Sequence, residues 1–249
     1  MLVTGAARRI GRAIALAAAR DGYDVGVHCH RSLREADATA GELRSLGARA
    51  EVFVCDLADE AACRALVPAV VERFGRLDAL VNGAALFEYD DAASFGHAAM
   101  ERHLRANTAP AVLLARALHA HLKPGGRRGA VVNLLDQKLA NPNPDYFSYT
   151  LSKAALDAAT TMLALALAPE LRVAAVAPGV TLASAQMSEA QFERAHEATP
   201  LRRGSTPDDV ARAVCFLLGA RAITGVTLLV DGGQHLAAQR RDVQFLFEE

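Results

Sequence analysis

Thr4-Gly5-Ala6-Ala7-Arg8-Arg9-Ile10-Gly11 is the stretch that decides the fold. It separates a short apolar run, Leu2–Thr4, from an alanine-rich stretch, 9–20, whose apolar residues recur at helical spacing. A strand that turns directly into a helix across two glycines has the layout of a phosphate-binding loop. Gly5 permits the tight turn, and Gly11 lets helix and strand approach closely. The first N–H groups of the helix offer partial positive charge to a pyrophosphate, and Arg8 and Arg9 add cations. Gly5, Arg8, Arg9, Ile10 and Gly11 are therefore candidate cofactor-binding residues. Without its setting the same glycine pair reads as a plain strand–helix turn; its place in the first unit of an alternating chain favours the ligand.

Outward from this turn the alternation continues. Apolar runs at Leu2–Thr4, Asp24–Cys29, Ala50–Cys55, Ala79–Asn82, Gly129–Leu134, Arg172–Ala177 and Val226–Val230 predict strands. Helices are predicted near 9–20, 33–46, 59–74, 99–122, 147–168 and 207–219, with Gly22, Gly47, Gly75 and Pro169 as punctuation. The strands are nearly continuous in apolar residues, as doubly buried parallel strands are. The expectation is an α/β fold: one doubly wound parallel-sheet domain over residues 1–249, helices on both faces, with 234–249 as a C-terminal tail. Its ligand belongs at the carboxyl ends of the strands. Only about four residues precede Gly5, so either the first strand is short for a central one or Met1 stands slightly inside the natural start.

Composition narrows the function classes. The 249 residues are 52% hydrophobic and 22% charged, with 27 Lys and Arg against 28 Asp and Glu. A net charge of −1 gives no basic excess for nucleic acid or a membrane surface. Apolar runs such as Ala13–Ala19 and Met162–Ala168 fall far short of a bilayer span, and the N-terminal order is not that of a signal peptide, so a cytoplasmic location is expected. Cys29, Cys55, Cys63 and Cys215 show no metal-ligand spacing, and no metal is expected.

Residues His30-Arg31-Ser32 follow the second strand, where NAD-binding folds usually keep an acid for the ribose 2′-hydroxyl. Arg and Ser suit a 2′-phosphate through charge-assisted hydrogen bonds, which points to NADPH or NADP. Asp56-Leu57 after strand three is placed to meet an adenine. Asn82-Gly83-Ala84 after strand four offers small residues to the cofactor.

The candidate chemistry lies at Asp136, Tyr149 and Lys153. Tyr149 and Lys153 are four apart on a predicted helix and share a face. A lysine cation is expected to lower the phenol's pKa, so that the pair exchanges a proton with a substrate while hydride moves. A Tyr-x-x-x-Lys pair alone is as well read as a solvated helix face; after a phosphate loop on the first helix it points to an active site.

Thr4-Gly5-x-x-x-Arg9-x-Gly11, Asn82, Asn107, Tyr149 with Lys153, and Pro178-Gly179 together resemble the short-chain dehydrogenase/reductase family in order and spacing. The match runs through nearly the whole chain to Val230-Asp231-Gly232-Gly233. The resemblance implies a Rossmann-type sheet of about seven strands, a nicotinamide cofactor and a homotetramer. It implies that Asn107 holds a water of the proton relay, that Lys153 binds the nicotinamide ribose, and that Pro178 and Gly179 lie near the nicotinamide. Arg9 stands where the general family has Gly, Asp136 where it has a catalytic Ser, and Asn82-Gly83-Ala84-Ala85 where it has Asn-Asn-Ala-Gly. The first two departures, with His30–Ser32, are shared with the pteridine reductase branch, in which an aromatic at the position of Phe87 stacks on the pterin. Arg9, Phe87, Asp136 and Tyr149 are then the candidate substrate-binding residues.

The expected activity is hydride transfer from NADPH to a small-molecule substrate, a dihydropterin or dihydrofolate. The alternatives are reduction of a carbonyl, such as a 3-oxoacyl thioester or sugar ketone, and a catalytically silent NADPH-binding regulator. Glu88–Asp91 reads either as a border of the substrate mouth or as a solvated acidic loop, and the resemblance implies that Thr181–Pro200, with Met187, Phe192 and His196, corresponds to the family's variable substrate lid. Lys123–Arg128 reads as an exposed turn. The apolar residues of the tail are expected to pack on a neighbouring subunit.

Overall fold

The apolar runs lie side by side as rows of one sheet in the computed structural model, which describes residues 1–183 and 187–246. The chain runs β1 (Leu2–Thr4), α1 (Arg9–Arg20), β2 (Val25–Cys29), α2 (Leu33–Ser45), β3 (Ala50–Val54), α3 (Glu60–Phe74), β4 (Ala79–Asn82), α4 (His97–His103) and α5 (Ala109–Leu122). It continues through β5 (Gly129–Leu134), α6 (Phe147–Ala166), β6 (Leu171–Pro178), α7 (Glu189–Glu197), α8 (Pro207–Gly219) and β7 (Thr227–Val230). Among the described residues the strands form a seven-stranded sheet in the order β3-β2-β1-β4-β5-β6-β7, every pair parallel. This is the Rossmann-type α/β architecture. The order reverses between β1 and β4, which opens a crevice at their carboxyl ends.

The register explains why the strands are apolar throughout. Leu2, Leu80, Val131 and Val173 are cross-strand neighbours, and so are Val3, Val81, Val132 and Ala174. Successive residues face opposite sides of a strand. The first row packs with Leu66 and Val67 of α3 and Leu114 and Leu118 of α5. The second packs with Ile14 of α1 and Val210, Val214 and Leu217 of α8. Each such Leu or Val contributes about 1.5–3 kcal/mol of burial. The third row, Thr4, Asn82 and Asn133, turns polar at the carboxyl edge.

Three findings depart from the sequence expectations. The helix expected over 99–122 is interrupted by a π turn, Leu104–Thr108, between α4 and α5. Pro110 has no N–H to donate to the carbonyl four residues earlier, and the wider turn closes instead through Ala109 N–H to Leu104 O. Helix α7 lies in the segment read as a lid. Its capping box, Ser188 with Gln191, was a legible start signal. Residues 184–186 of that segment lie outside the described residues. Third, part of the tail folds back, with Val243 and Gln244 buried against the chain's own fold and Leu236 and Leu246 exposed. Phe247, among the tail residues expected on a neighbouring subunit, lies outside the described residues.

Candidate active site

The carboxyl ends of β1, β2 and β4 meet backbone to backbone. Gly5 has φ +68°, and a Cβ there would stand 3.0 Å from the Cα and N of Ala84. A Cβ on Gly11 would stand 2.2 Å from Gly5 O, and one on Gly83 2.9 Å from Thr4 O. Thr4 Oγ1 accepts from the N–H groups of Gly83 (3.0 Å) and Ala84 (3.2 Å), stitching β1 to the loop after β4. His28 fixes the same turn from below. Its Nδ1 accepts from Gly5 N–H at 3.3 Å, so its Nε2 carries the proton and donates to Cys55 O at 3.2 Å. Burial lowers the His28 pKa to about 4, which keeps the ring neutral near pH 7.

No side chain caps the start of α1, where Arg8 is extended and Arg9 takes φ +56°. Arg8 and Arg9 are exposed, and the Arg9 guanidinium donates to Ala183 O at 3.3 and 3.4 Å. Ser32 stands before α2 without capping it, beside exposed His30 and Arg31. Asp56 is exposed after β3, its Oδ1 held by Ala58 N–H at 2.9 Å, while Leu57 turns its side chain into the core. This edge fits a dinucleotide: uncapped helix starts, cations, a turn too close for any side chain, and no carboxylate directly after β2. Gly179 lies across the crevice against the Asp231 turn, where a Cβ would come within 2.7 Å of Asp231 Cβ; Pro178 before it is buried.

On the β5–α6 side the groups are side chains. Tyr149 OH donates to Asp136 Oδ2 at 3.0 Å, and Asp136 Oδ1 accepts from Lys138 N–H at 2.9 Å. Lys153 Nζ donates to Leu134 O at 2.7 Å and lies 5.7 Å from the centre of the Tyr149 ring. Burial raises the Asp136 pKa, and burial with the neighbouring Asp136 carboxylate holds Tyr149 well above its ordinary value. This corrects the expectation that Lys153 lowers the phenol. Desolvation and Asp136 raise the phenol, and burial lowers the pKa of Lys153 itself to about 8. The arrangement retains a proton between phenol and carboxylate, which suits donation to a substrate.

Phe87 is half exposed over this pair. Its ring meets Tyr149 edge-on, centroids 4.7 Å apart, and stacks on Tyr146 at 4.2 Å. Tyr146 is the principal residue that sequence reasoning missed. It precedes α6 in the left-handed region, φ +53°, and no spacing rule marks it. Thr4 and His28, which anchor the cofactor turn, were also not singled out as site residues.

Asn107 occupies the π turn. Its Oδ1 accepts from Leu86 N–H (2.7 Å), and its Nδ2 donates to Leu86 O (3.0 Å) and Ser152 Oγ (2.9 Å). Asn107 thus ties the loop bearing Phe87 to the helix bearing Tyr149. Asn82 Nδ2 donates to Asn133 Oδ1 at 2.8 Å beneath the crevice. The acidic loop divides: Asp91 is partly exposed, whereas buried Asp90 accepts from Ser148 N–H at 2.9 Å and from its hydroxyl, closing the start of α6. His196 is turned to Val180 O at 2.9 Å and its ring lies 4.2 Å from Phe192. Among the described residues no group of His, Cys, Asp and Glu is arranged for a metal, and no helix is long and apolar enough to cross a membrane.

Comparison with known proteins places this geometry in company. Residues 5–235 match the family model described as enoyl-(acyl carrier protein) reductase. The chain is similar to the crystal structure of FolM alternative dihydrofolate reductase 1 from Brucella suis in complex with NADP, at 42% identity and TM-score 0.91 over 96% of this chain and 95% of that one. The Brucella canis counterpart, also complexed with NADP, gives 42% identity and TM-score 0.88 over 95% and 93%. A further relative is the 3-oxoacyl-[acyl-carrier-protein] reductase FabG of Staphylococcus aureus, 32% identical over 94% of this chain and 97% of that protein.

Proposed function

The chain belongs to the short-chain dehydrogenase/reductase family of NAD(P)-dependent oxidoreductases, and from that premise we propose that it uses NADPH to reduce a pterin ring of the dihydropterin or dihydrofolate type. The observation that carries this reading is the 3.0 Å bond from Tyr149 to Asp136 beneath the half-exposed ring of Phe87. A flat heterocycle suits the aromatic wall, and its C=N nitrogen needs a proton as the adjacent carbon receives hydride. The 42% identity to two structures described as dihydrofolate reductases with NADP supports it.

When bound along the carboxyl edge, a reduced nicotinamide would supply the hydride. Gly5, Arg8, Arg9, Ile10 and Gly11 would receive its pyrophosphate at the uncapped start of α1. His30, Arg31 and Ser32 would receive the 2′-phosphate, Asp56 and Leu57 would border the adenine, and Asn82, Gly83, Ala84, Pro178 and Gly179 would flank the nicotinamide half. Lys153 would hold the ribose. Tyr149 would donate its phenolic proton to the ring nitrogen, and the phenolate would be reprotonated through Asp136 with a proton taken up from solvent. Asn107 keeps Phe87 and Tyr149 in register, and Arg9 faces the substrate from the far wall.

The test is NADPH consumption by the purified protein with a dihydropterin, beside an NADH control and an acetoacetyl thioester. Dihydropterin turnover with preference for NADPH is expected. Turnover of the thioester alone overturns the pterin reading and leaves the second one, a 3-oxoacyl reductase, which the 32% identity to FabG favours.

A further inference from the structure

The C-terminal segment lies against the chain's own catalytic loop. Arg241 grips Asp145 with two nitrogens, Nε to Oδ2 at 2.8 Å and Nη2 to Oδ1 at 2.9 Å. The N–H of Asp242 adds a bond to Asp145 Oδ2 at 2.7 Å. The Asp242 carboxylate meets Lys138 Nζ at 3.0 Å, and that ammonium also donates to Asp145 O at 2.6 Å. Gln244 Oε1 accepts from Tyr146 OH at 2.7 Å, and the Phe245 ring lies 5.5 Å from Tyr89. Lys138 and Asp145 are 4% and 2% exposed, so their charges are held out of water, where an unpaired charge is costly, while the Arg241 side chain is half exposed.

The loop held in this way presents the reacting groups. Lys138 is fixed by Asp242 through its side chain and donates its main-chain N–H to Asp136. Tyr146 is fixed by Gln244 and stacks on Phe87. We propose that Arg241–Phe245 is a positioning strap for the reaction, in which Asp242, acting through Lys138, sets the orientation and electrostatic surroundings of Asp136. The proposal rests on the reading that Asp136 and Tyr149 deliver the proton.

The charged and titratable groups facing Asp136 are Tyr149 and Lys153 from α6, Lys138 from its own loop, and Asp242 from the strap. Asp242 itself faces Lys138, Asp145, Arg241 and Tyr146. After burial, the Asp242 charge is a further cause of the raised Asp136 pKa. Neutralising Asp242 removes a negative neighbour and leaves Lys138 unbalanced, and both changes lower the Asp136 pKa.

The experiment is a carboxyl carbon-13 NMR titration of Asp136 in the full chain, assigned with Asp136→Asn, alongside steady-state kinetics. Asp242→Asn is expected to move the Asp136 midpoint down by roughly half a unit. It is also expected to cut kcat about tenfold with the KM for NADPH unchanged. Asp242→Glu is expected to restore both. Arg241→Gln, at a half-exposed side chain, loosens the same strap and is expected to lower kcat in the same direction if Asp242→Asn does not fold. An unmoved Asp136 midpoint in folded Asp242→Asn overturns the strap, and so does an unchanged kcat in Arg241→Gln when that variant must serve. If the wild type reduces no dihydropterin, the functional reading fails, while the substrate-free titration still decides the strap.

Discussion

The two walls of the crevice are built from different materials. At the ends of β1, β2 and β4 the contacts are main chain on main chain, with Gly5, Gly11 and Gly83 packed where no Cβ fits. At the end of β5 the contacts are buried ionisable and aromatic side chains, Asp136, Tyr149, Lys153, Tyr146 and Phe87. In the proposed reading the wall of backbone would hold a ligand that presents phosphates and riboses, and would tolerate changes in most of its side chains. A wall of side chains tunes proton affinity, and each of its members is exposed to point substitution.

The sharpest test of this contrast is Tyr149→Phe. Loss of the phenolic proton should lower turnover about 10³-fold and leave NADPH affinity within about twofold, read by kinetics beside fluorescence titration. A parallel loss of NADPH binding would mean that the two walls act as one. Arg31 is the cofactor wall's exception, since its proposed part is that of a side chain. Arg31→Asp should cut the NADPH-over-NADH preference in kcat/KM by about 100-fold, and an unaltered preference would return Arg31 to the solvent.

A matched pair comes next. Gly11→Ala forces a Cβ against Gly5 O and should lower Tm by about 5 °C and NADPH affinity by about tenfold. Phe87→Ala, at a half-exposed ring, should leave Tm in place and raise the KM of a dihydropterin about tenfold. If Phe87→Ala destabilised the protein as Gly11→Ala does, the substrate wall would be part of the core.

The smallest effect is a pH trend with opposite signs in activity and stability. Burial lowers Lys153 to about 8, against an ordinary value of 10.5, so its charge is lost as pH rises past 8 and turnover should decline several-fold by pH 9. Between those values the unfolded chain binds more protons than the folded one, so the Lys153 contribution to stability grows with pH. Lys153→Met should remove this trend in stability and raise Tm at pH 7. A lowered Tm would show that the bond to Leu134 O outweighs desolvation.

The legibility of the molecule follows the same division. The turn Thr4–Gly11 was readable because its logic closes within eight residues, and the strands because doubly buried rows leave no polar alternation. Tyr149 and Lys153 were readable as a pair from their spacing on a helix, and Asp136 through the family resemblance. What they do to each other was not, because a phenol's proton affinity depends on burial, which spacing does not encode. The tail's own contacts were not legible for a related reason. Its apolar residues announce that they are covered, but the partners of Arg241 and Asp242 lie 96 and 104 positions earlier. Tyr146 escaped notice because an aromatic residue in the left-handed region follows no local preference.

The π turn at Leu104–Thr108 has an evolutionary consequence. It adds a residue to a helix that would otherwise run regularly from α4 into α5, and Asn107 reaches both Leu86 and Ser152 from that wide turn. Dropping any one of these residues would tighten the turn and rotate one flank against the other by about 100°. Identity can drift at the outward positions of this stretch, but its length is held by the clasp, so the descendants of this chain should vary there by substitution and never by indel.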